Sequence, residues 1–236
     1  MATYVMSDIH GQGRLFRAML ETIGFSDADT LYIIGDVVDR GPDGIALLRQ
    51  ILSTPNMILL LGNHEWMLLR YYAPDVTETD IRRWDRNGNG PTIDGLEALT
   101  AAQRAELMLQ LQALPSQLRL QVGGQAFHLV HGFVGETDFD RVWTRPAPDI
   151  EPPLPDARLI IGHTPVPYML PSPEHRQAAL EEMERLGTHP RILHSPGFID
   201  IDCGCSLPEP LKTLACLRLE DLAEFYVSTA RETGNV

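Results

Sequence analysis

Three short apolar runs in the first part of the chain each end in a cluster of Gly, Asp, Asn or His residues. These runs lie at 3–6, 31–34 and 57–61. Between the first two runs, apolar residues recur at helical spacing, as at Leu15, Met19 and Ile23. Strands that alternate with helices form a parallel sheet, because each helix carries the chain back to the start of the next strand. The pattern therefore predicts a β-α-β-α-β-α unit over residues 3–70.

The rest of the chain mixes helical and strand patterns. Residues 71–114 have helical spacing with a polar, glycine-rich break, which predicts a small helical cap. Gly123-Gly124 lies between two alternating apolar runs and predicts a hairpin. Strands are expected at 118–122, 126–130, 191–194, 198–201, 213–219 and 224–227, and a helix at 174–186; a further apolar run at 159–161 directly precedes Gly162. We therefore predict an α/β fold of two packed mixed β-sheets flanked by helices, as a single domain over residues 1–236 with the cap at about 71–114.

Polar residues follow the predicted strands at the point where each strand ends. In open α/β sheets, ligands bind beyond the carboxyl ends of the strands, so these residues are expected to lie together although they are far apart in sequence. Each one alone could be a turn former or a buried structural histidine, but six of them at strand ends indicate a shared site. The six candidate ligands are Asp8, His10, Asp36, Asn63, His131 and His163.

The six candidate ligands combine carboxylate, amide and imidazole groups, which is the donor chemistry of a two-metal hydrolase. Asp36 has two carboxylate oxygens and could bind both ions. Two ions about 3.5–4 Å apart can clamp a phosphoryl group and share the attacking hydroxide. Mixed oxygen and nitrogen ligands suit Mn, Fe or Zn better than Ca. We therefore expect two divalent transition-metal ions as cofactors, with Mn as the first choice and Fe or Zn as alternatives.

Three residues beside the candidate ligands carry groups that act on phosphoesters. His64 follows Asn63 directly, so its protonated imidazole could donate a proton to the leaving oxygen as general acid. Asp39 is placed to orient that imidazole, as carboxylates commonly do for histidines at metal sites. Arg40 offers a planar guanidinium for phosphate oxygens, unless it pairs with a surface carboxylate instead. His64, Asp39 and Arg40 are therefore predicted catalytic residues.

These clusters resemble the signature motifs of the phosphoprotein phosphatase superfamily of binuclear metallophosphoesterases, in particular its bacterial and phage branch. The matching segments are Asp8-x-His10, Gly35-Asp36-x-x-Asp39-Arg40-Gly41, Gly62-Asn63-His64-Glu65 and Gly162-His163-Thr164-Pro165. The resemblance implies a calcineurin-like sandwich fold. It also implies one ion bound by Asp8, His10 and Asp36, and a second ion bound by Asp36, Asn63, His131 and His163.

Two further segments match the bacterial members. In that branch a second phosphate-binding arginine usually stands in a Trp-x-Arg setting, so the resemblance assigns phosphate binding to Arg145 in Trp143-Thr144-Arg145. A loop of the form Trp-x-x-Asn-Gly-Gly-x-x-Thr covers the substrate cleft in these enzymes. Residues 84–92 match that loop except that Asn89 replaces the second glycine. Since Gly and Asn both tolerate left-handed backbone, the loop shape is expected to persist.

The resemblance implies metal-dependent hydrolysis of phosphomonoesters by a hydroxide that bridges the ions, and two substrate classes compete. Phosphoserine and phosphothreonine in proteins are favoured by the compact length, the short cap and the replaced glycine. The alternative is symmetrical hydrolysis of bis(5'-nucleosyl) tetraphosphates, because those enzymes share the same motifs. A catalytically silent binding module is disfavoured, since it would not need His64 or Arg40. The expected partner is a phosphorylated protein or a small phosphoester.

The charge of the chain disfavours one class of partner. Lys and Arg number 19 against 32 Asp and Glu, a formal net charge of −13, so polyanions such as nucleic acid are repelled. No apolar run approaches the roughly 20 residues of a membrane span, and the first residues lack the features of a signal peptide. The three cysteines do not resemble a disulfide framework. We therefore expect no nucleic acid, no membrane association and a cytoplasmic location.

Overall fold

The computed structural model describes residues 1–229, which contain ten strands, eight α-helices and one short 3₁₀ helix. The strands are β1 (Thr3–Met6), β2 (Thr30–Ile33), β3 (Met57–Leu59), β4 (Gln117–Val122), β5 (Gln125–Val130), β6 (Arg158–Ile161), β7 (Leu193–His194), β8 (Ile199–Asp200), β9 (Thr213–Arg218) and β10 (Glu224–Ser228). The helices are α1 (Gly13–Thr22), α2 (Gly44–Ser53), α3 (Asn63–Tyr71), α4 (Glu78–Arg86), α5 (Gly90–Glu97), α6 (Ala101–Gln112), α7 (Asp138–Trp143) and α8 (Pro173–Leu186), and the 3₁₀ helix is Val166–Met169.

The strands form two mixed five-stranded sheets, as the sequence predicts. The first sheet has the order β10-β9-β1-β2-β3, in which β1, β2 and β3 are parallel and β9 runs antiparallel to both β1 and β10. The second sheet has the order β4-β5-β6-β8-β7, in which β5, β6 and β8 are parallel. The two outer pairs, β4 with β5 and β7 with β8, are antiparallel. The predicted hairpin at Gly123-Gly124 is the β4–β5 connection.

The two faces of the first sheet are buried in different cores, because successive side chains of a strand point to opposite faces. In β1, Val5 faces the second sheet, whereas Tyr4 and Met6 pack with the helices. The predicted helical stripe of Leu15, Met19 and Ile23 lies in this core between the sheet and the helices, as do the buried apolar residues of α2. The core between the sheets includes Val5, Ile34, Leu60, Phe127, Leu129, Ile160, Ile199, Ala215 and Leu217. The fold is therefore a sandwich of two sheets flanked by helices.

The predicted cap region contains α4, α5 and α6. Thr100 precedes α6, where its side chain accepts a hydrogen bond from the Gln103 backbone amide, and Leu107 and Leu111 bury one face of the helix. The predicted glycine-rich break separates α4 from α5. Over residues 1–229, no helix combines the length and apolar character needed to cross a membrane.

Two short elements are absent from the sequence-based prediction. One is α7, which begins with a reciprocal cap between Thr137 and Asp140, a local signal that was available in the sequence. The other is the 3₁₀ helix that directly follows the Gly162–Pro165 motif. The three cysteines, Cys203, Cys205 and Cys216, are free and buried, and burial raises the pKa of each thiol.

Candidate metal centre

The predicted ligands lie together beyond the carboxyl ends of three parallel strands of the first sheet and two parallel strands of the second. Every one of them is buried, with between 0% and 7% of its surface exposed. The strands that precede them are β1 for Asp8 and His10, β2 for Asp36, β3 for Asn63, β5 for His131 and β6 for His163. Two packed sheets thus place their loops at one edge, which is what the sequence pattern predicts for a shared site.

Asp36 lies between two groups of donors. Its Oδ2 is 3.7 Å from Nε2 of His10, and its Oδ1 is 3.4 Å from Nε2 of His131. On the His131 side, Oδ1 of Asn63 lies 2.8 Å from both His131 Nε2 and His163 Nδ1. The two oxygens of Asp36 therefore face different histidines, an arrangement in which one carboxylate could bind two ions.

The donor atoms form two groups, each of which could hold a metal ion. Two groups of His and Asp side chains have ligand atoms within 4.8 Å of one another and share Asp36; they are His10, Asp36 and His64, and Asp36, His131 and His163. Buried imidazole and carboxylate groups are the donors that such ions prefer. Asp8 lies at the margin of the first group, since its Oδ1 is 4.0 Å from His10 Nε2. The role of Asp8 as a ligand stays a prediction.

Strained backbone is concentrated at the candidate site. Within residues 1–229, seven residues other than glycine have a positive φ, a conformation that is uncommon for side chains with a Cβ atom. They are Asp8, His10, Asp36, Asp39, Arg40, His163 and Leu222. All but Leu222 are predicted site residues. Such strain persists only where the surrounding structure enforces it, and it clusters at functional sites.

The electrostatics of the site keep two histidines neutral. Burial, together with repulsion from nearby positive groups, lowers the pKa of His10 and His163 well below the ordinary value. Neutral imidazole is the form that binds a metal. Burial also opposes the charged forms of His131 and Asp36, but their mutual attraction dominates: it raises the pKa of His131 to about 10 and holds that of Asp36 well below its ordinary value.

The predicted general acid has the expected partner. Nδ1 of His64 lies 2.6 Å from Oδ2 of Asp39, and both side chains are fully buried. Nε2 of His64 points the other way and lies 3.7 Å from Oδ2 of Asp36. The Asp39 carboxylate thus holds one ring nitrogen of His64, while the other ring nitrogen faces the ligands. This arrangement fixes the ring and leaves the second nitrogen available for proton transfer.

The two predicted phosphate-binding arginines reach the ligands from different sides. Nη1 of Arg40 lies 2.9 Å from Nε2 of His10 and also donates to Oγ of Ser206 at 2.7 Å. Nη2 of Arg40 lies 3.0 Å from Nε2 of His64. Nε of Arg145 donates to Nε2 of His163 at 3.2 Å. All ten predicted site residues therefore lie together, with two cations beside the buried ligands. Their individual roles stay predictions.

Glu65 has a structural role that the sequence analysis left unassigned. Its fully buried carboxylate accepts hydrogen bonds from the backbone amides of Asp36, Val37, Val38 and Gly62 at 2.8–3.2 Å. These bonds hold the loop that carries Asp36 in its left-handed conformation. The local signal was present, because a glutamate at the third helical position commonly bonds back to the start of its helix.

Comparison with known families places the chain in one class. Residues 1–194 match the model of the calcineurin-like phosphoesterase family, which covers most of the chain. The chain belongs to this family of metal-dependent phosphoester hydrolases, which confirms the family and the fold that the motifs predict.

Individual relatives share parts of the chain. A symmetrical bis(5'-nucleosyl)-tetraphosphatase from Acidovorax sp. (strain JS42) is 38% identical over 136 residues, which cover 57% of this chain and 44% of that protein. The match thus spans less than half the length of this relative. A solved structure described as a candidate diadenosine tetraphosphatase superposes with a TM-score of 0.60 at 16% identity, over 96% of this chain and 92% of the other.

A cold-active protein-tyrosine phosphatase from Shewanella sp. superposes with a TM-score of 0.52 at 14% identity, over 95% of this chain and 79% of the other. At such low identities the likeness to solved structures shows the fold alone. Since proteins named for different substrates share this fold, the fold does not select the substrate.

Proposed function

We propose that the protein hydrolyses bis(5'-nucleosyl) tetraphosphates symmetrically, so that water cleaves the central phosphoanhydride and two nucleoside diphosphates leave. The observation that carries this proposal is the 38% identity to a protein of that name, in a chain whose metal-ligand and arginine motifs are intact. Phosphoserine or phosphothreonine, the substrate class ranked first from the sequence, lacks comparable support. The compact length, the short cap and the replaced glycine favoured that class, but they concern the shape of the site and not its chemistry.

The proposed metals would be held by the ligands described above, with Asp36 shared. When bound, two divalent ions supply Lewis acidity, which neutralises phosphoryl charge and promotes ionisation of the attacking water. Arg40 and Arg145 would donate hydrogen bonds to phosphoryl oxygens from two sides. His64 would give its proton to the leaving oxygen, with Asp39 holding the ring in the required orientation. The strong negative charge of the chain makes these local cations important for drawing in an anionic substrate.

The test is a side-by-side assay of the Mn-loaded protein on diadenosine tetraphosphate and on a phosphoserine or phosphothreonine peptide. We expect kcat/KM to be higher for the dinucleotide by at least about a hundredfold, which corresponds to about 2.7 kcal/mol of transition-state discrimination. The product should be ADP alone, with ¹⁸O from labelled water in one ADP of each pair. Preference for the peptide would favour a protein phosphatase, and formation of ATP with AMP would contradict symmetrical cleavage.

Replacing either phosphate-binding arginine should reduce turnover on every phosphorylated substrate. Arg40→Ala removes a hydrogen-bond donor to the negative charge that develops on the phosphoryl group in the transition state. Loss of one such donor typically lowers the rate by about 10²–10³-fold. Arg145→Ala should act in the same direction. Steady-state kinetics with two unrelated substrates measure the effect. Arg119→Ala is the matched control, because Arg119 is a half-exposed arginine that pairs with Asp156 away from the site. A loss confined to one substrate class would mean that Arg40 recognises something other than phosphate.

A further inference from the structure

The Asp39 carboxylate is held by two side chains of the cap that have no assigned role. Nε1 of Trp84 donates to Oδ2 of Asp39 at 2.8 Å, and Oγ1 of Thr92 donates to Oδ1 at 2.6 Å. His64 occupies Oδ2 as well, through Nδ1 at 2.6 Å. We propose that Trp84 and Thr92 are positioning residues that set the orientation of His64 through Asp39. This inference rests on the proposed function of His64 as general acid.

Burial makes these contacts decisive for the orientation of Asp39. Asp39, His64 and Trp84 are fully buried and Thr92 is 1% exposed, so water does not compete for the carboxylate. Three donors converge on its two oxygens, and each donor comes from a different helix or helix start. Removing one donor leaves the buried carboxylate short of one hydrogen bond. The side chain can then rotate or shift its bond to His64.

Thr92 fixes the main chain of Asp39 as well as its side chain. The Asp39 backbone N–H donates to Oγ1 of Thr92 at 2.9 Å, while the same hydroxyl donates to the Asp39 carboxylate. One hydroxyl thus uses both its acceptor and its donor capacity on a single residue. Because Asp39 has a φ of 69°, this contact also helps to hold a backbone conformation that is unfavourable by itself.

The same loop supports Arg40. The Arg40 backbone N–H donates to the carbonyl oxygen of Gly88 at 2.9 Å, and Arg40 has a φ of 65°. Gly88 has a φ of 87°, and a Cβ atom there would lie 3.2 Å from Cγ of Arg40. The loop at 84–92 therefore contacts both of the consecutive left-handed residues: Trp84 and Thr92 contact Asp39, and Gly88 contacts Arg40. Trp84 and Thr92 are the two ends of the motif. Through Asp39 they support His64, the proposed proton donor, independently of any contact between the loop and the substrate.

Three variants separate positioning from folding. Thr92→Val removes the hydroxyl and keeps the shape, Thr92→Ser restores the hydroxyl, and Trp84→Phe removes the N–H while an aromatic ring still packs on Tyr71. Thr213→Val is the matched control, because Thr213 is a fully buried threonine in β9 whose hydroxyl contacts Leu211 and Ser228. Thermal melts and metal analysis establish that each variant is folded and retains its ions.

The first readout, on the Zn-loaded protein, is the proton NMR resonance of the His64 Nδ1–H, assigned by its loss in His64→Asn. A proton held between an imidazole and a buried carboxylate resonates far downfield. We expect Thr92→Val and Trp84→Phe to shift or broaden this resonance, and Thr92→Ser and Thr213→Val to leave it in place. An unchanged resonance in both Thr92→Val and Trp84→Phe would overturn the proposal, regardless of activity.

The second readout is the dependence of kcat on the leaving group. With phenyl phosphate, Thr92→Val and Trp84→Phe should lower kcat at least about tenfold, and with p-nitrophenyl phosphate less than about threefold, because p-nitrophenolate needs little protonation. Equal losses on both substrates would overturn the proposal. His64→Asn on the same pair tests the acid role itself. If His64→Asn shows the dependence and Thr92→Val does not, the positioning proposal fails alone; if His64→Asn lacks it, the proposed acid role fails.

Discussion

Asp36→Asn is expected to lower the metal content of the purified protein from two ions per chain to fewer than one and to lower turnover sharply. The carboxylate lies between His10 and His131, with a different oxygen toward each. An amide has one oxygen and no negative charge, so it binds two cations far less well than a carboxylate. Bound ions contribute several kcal/mol of charge stabilisation, and each 1.36 kcal/mol is tenfold in rate, so kcat should fall by about a thousandfold or more.

Elemental analysis after dialysis measures the metal loss, and steady-state kinetics measure the loss of activity. Asp200→Asn is the matched control, because Asp200 is equally buried and belongs to neither group of donors. This control should keep both ions. Full activity of the wild-type protein in excess chelator would contradict metal dependence. An Asp36→Asn variant that keeps two ions would contradict a shared Asp36.

His64→Asn is expected to keep both ions and to lower kcat by about 10²–10⁴-fold on substrates with poor leaving groups. His64 follows Asn63 directly, and its Nδ1 is engaged by Asp39, so the ring is oriented for proton donation. The deficit should shrink with p-nitrophenyl phosphate, whose leaving group is a weak base.

Turnover of phenyl and p-nitrophenyl phosphate by the two proteins, with metal analysis of both, gives the comparison. Arg40→Ala provides the contrast, because a phosphate contact is common to the two substrates. If His64→Asn lost metal, its proximity to Asp36 Oδ2, at 3.7 Å, would identify it as a ligand. An equal loss on both substrates with both ions retained would instead indicate that His64 orients water or stabilises charge.

The sequence predicts the features that depend on local pattern. Short continuous apolar runs and helical spacing identify β1 to β3 and the helices between them, and the polar residue at each strand end identifies the ligands. Strand ends of a parallel sheet meet at one edge whatever the details of packing. For this reason Asp8, Asp36, Asn63 and His163 could be placed together although 155 positions separate the Asp8 carboxylate from the His163 amide that it accepts from.

Contacts set by tertiary packing could not be predicted in the same way. Trp84 and Thr92 lie 45 and 53 positions from Asp39, and nothing local indicates that their polar atoms meet its carboxylate. The backbone amides of Asp36, Val37 and Val38 on Glu65 likewise depend on how the β2–α2 loop approaches α3. The choice between substrates was also beyond the motifs, since both candidate activities use the same ligands. Identity to a tetraphosphatase supports the alternative over the protein phosphatase that was ranked first.

The most direct test of the two-metal account is electron paramagnetic resonance of the protein titrated with Mn²⁺. Two ions that share Asp36 would lie about 3.5–4 Å apart, close enough for their spins to couple. The account predicts saturation at two ions per chain with the signal of an exchange-coupled pair, which Asp36→Asn should abolish. Saturation at one ion per chain, or the signal of isolated Mn²⁺ at full loading, would contradict it.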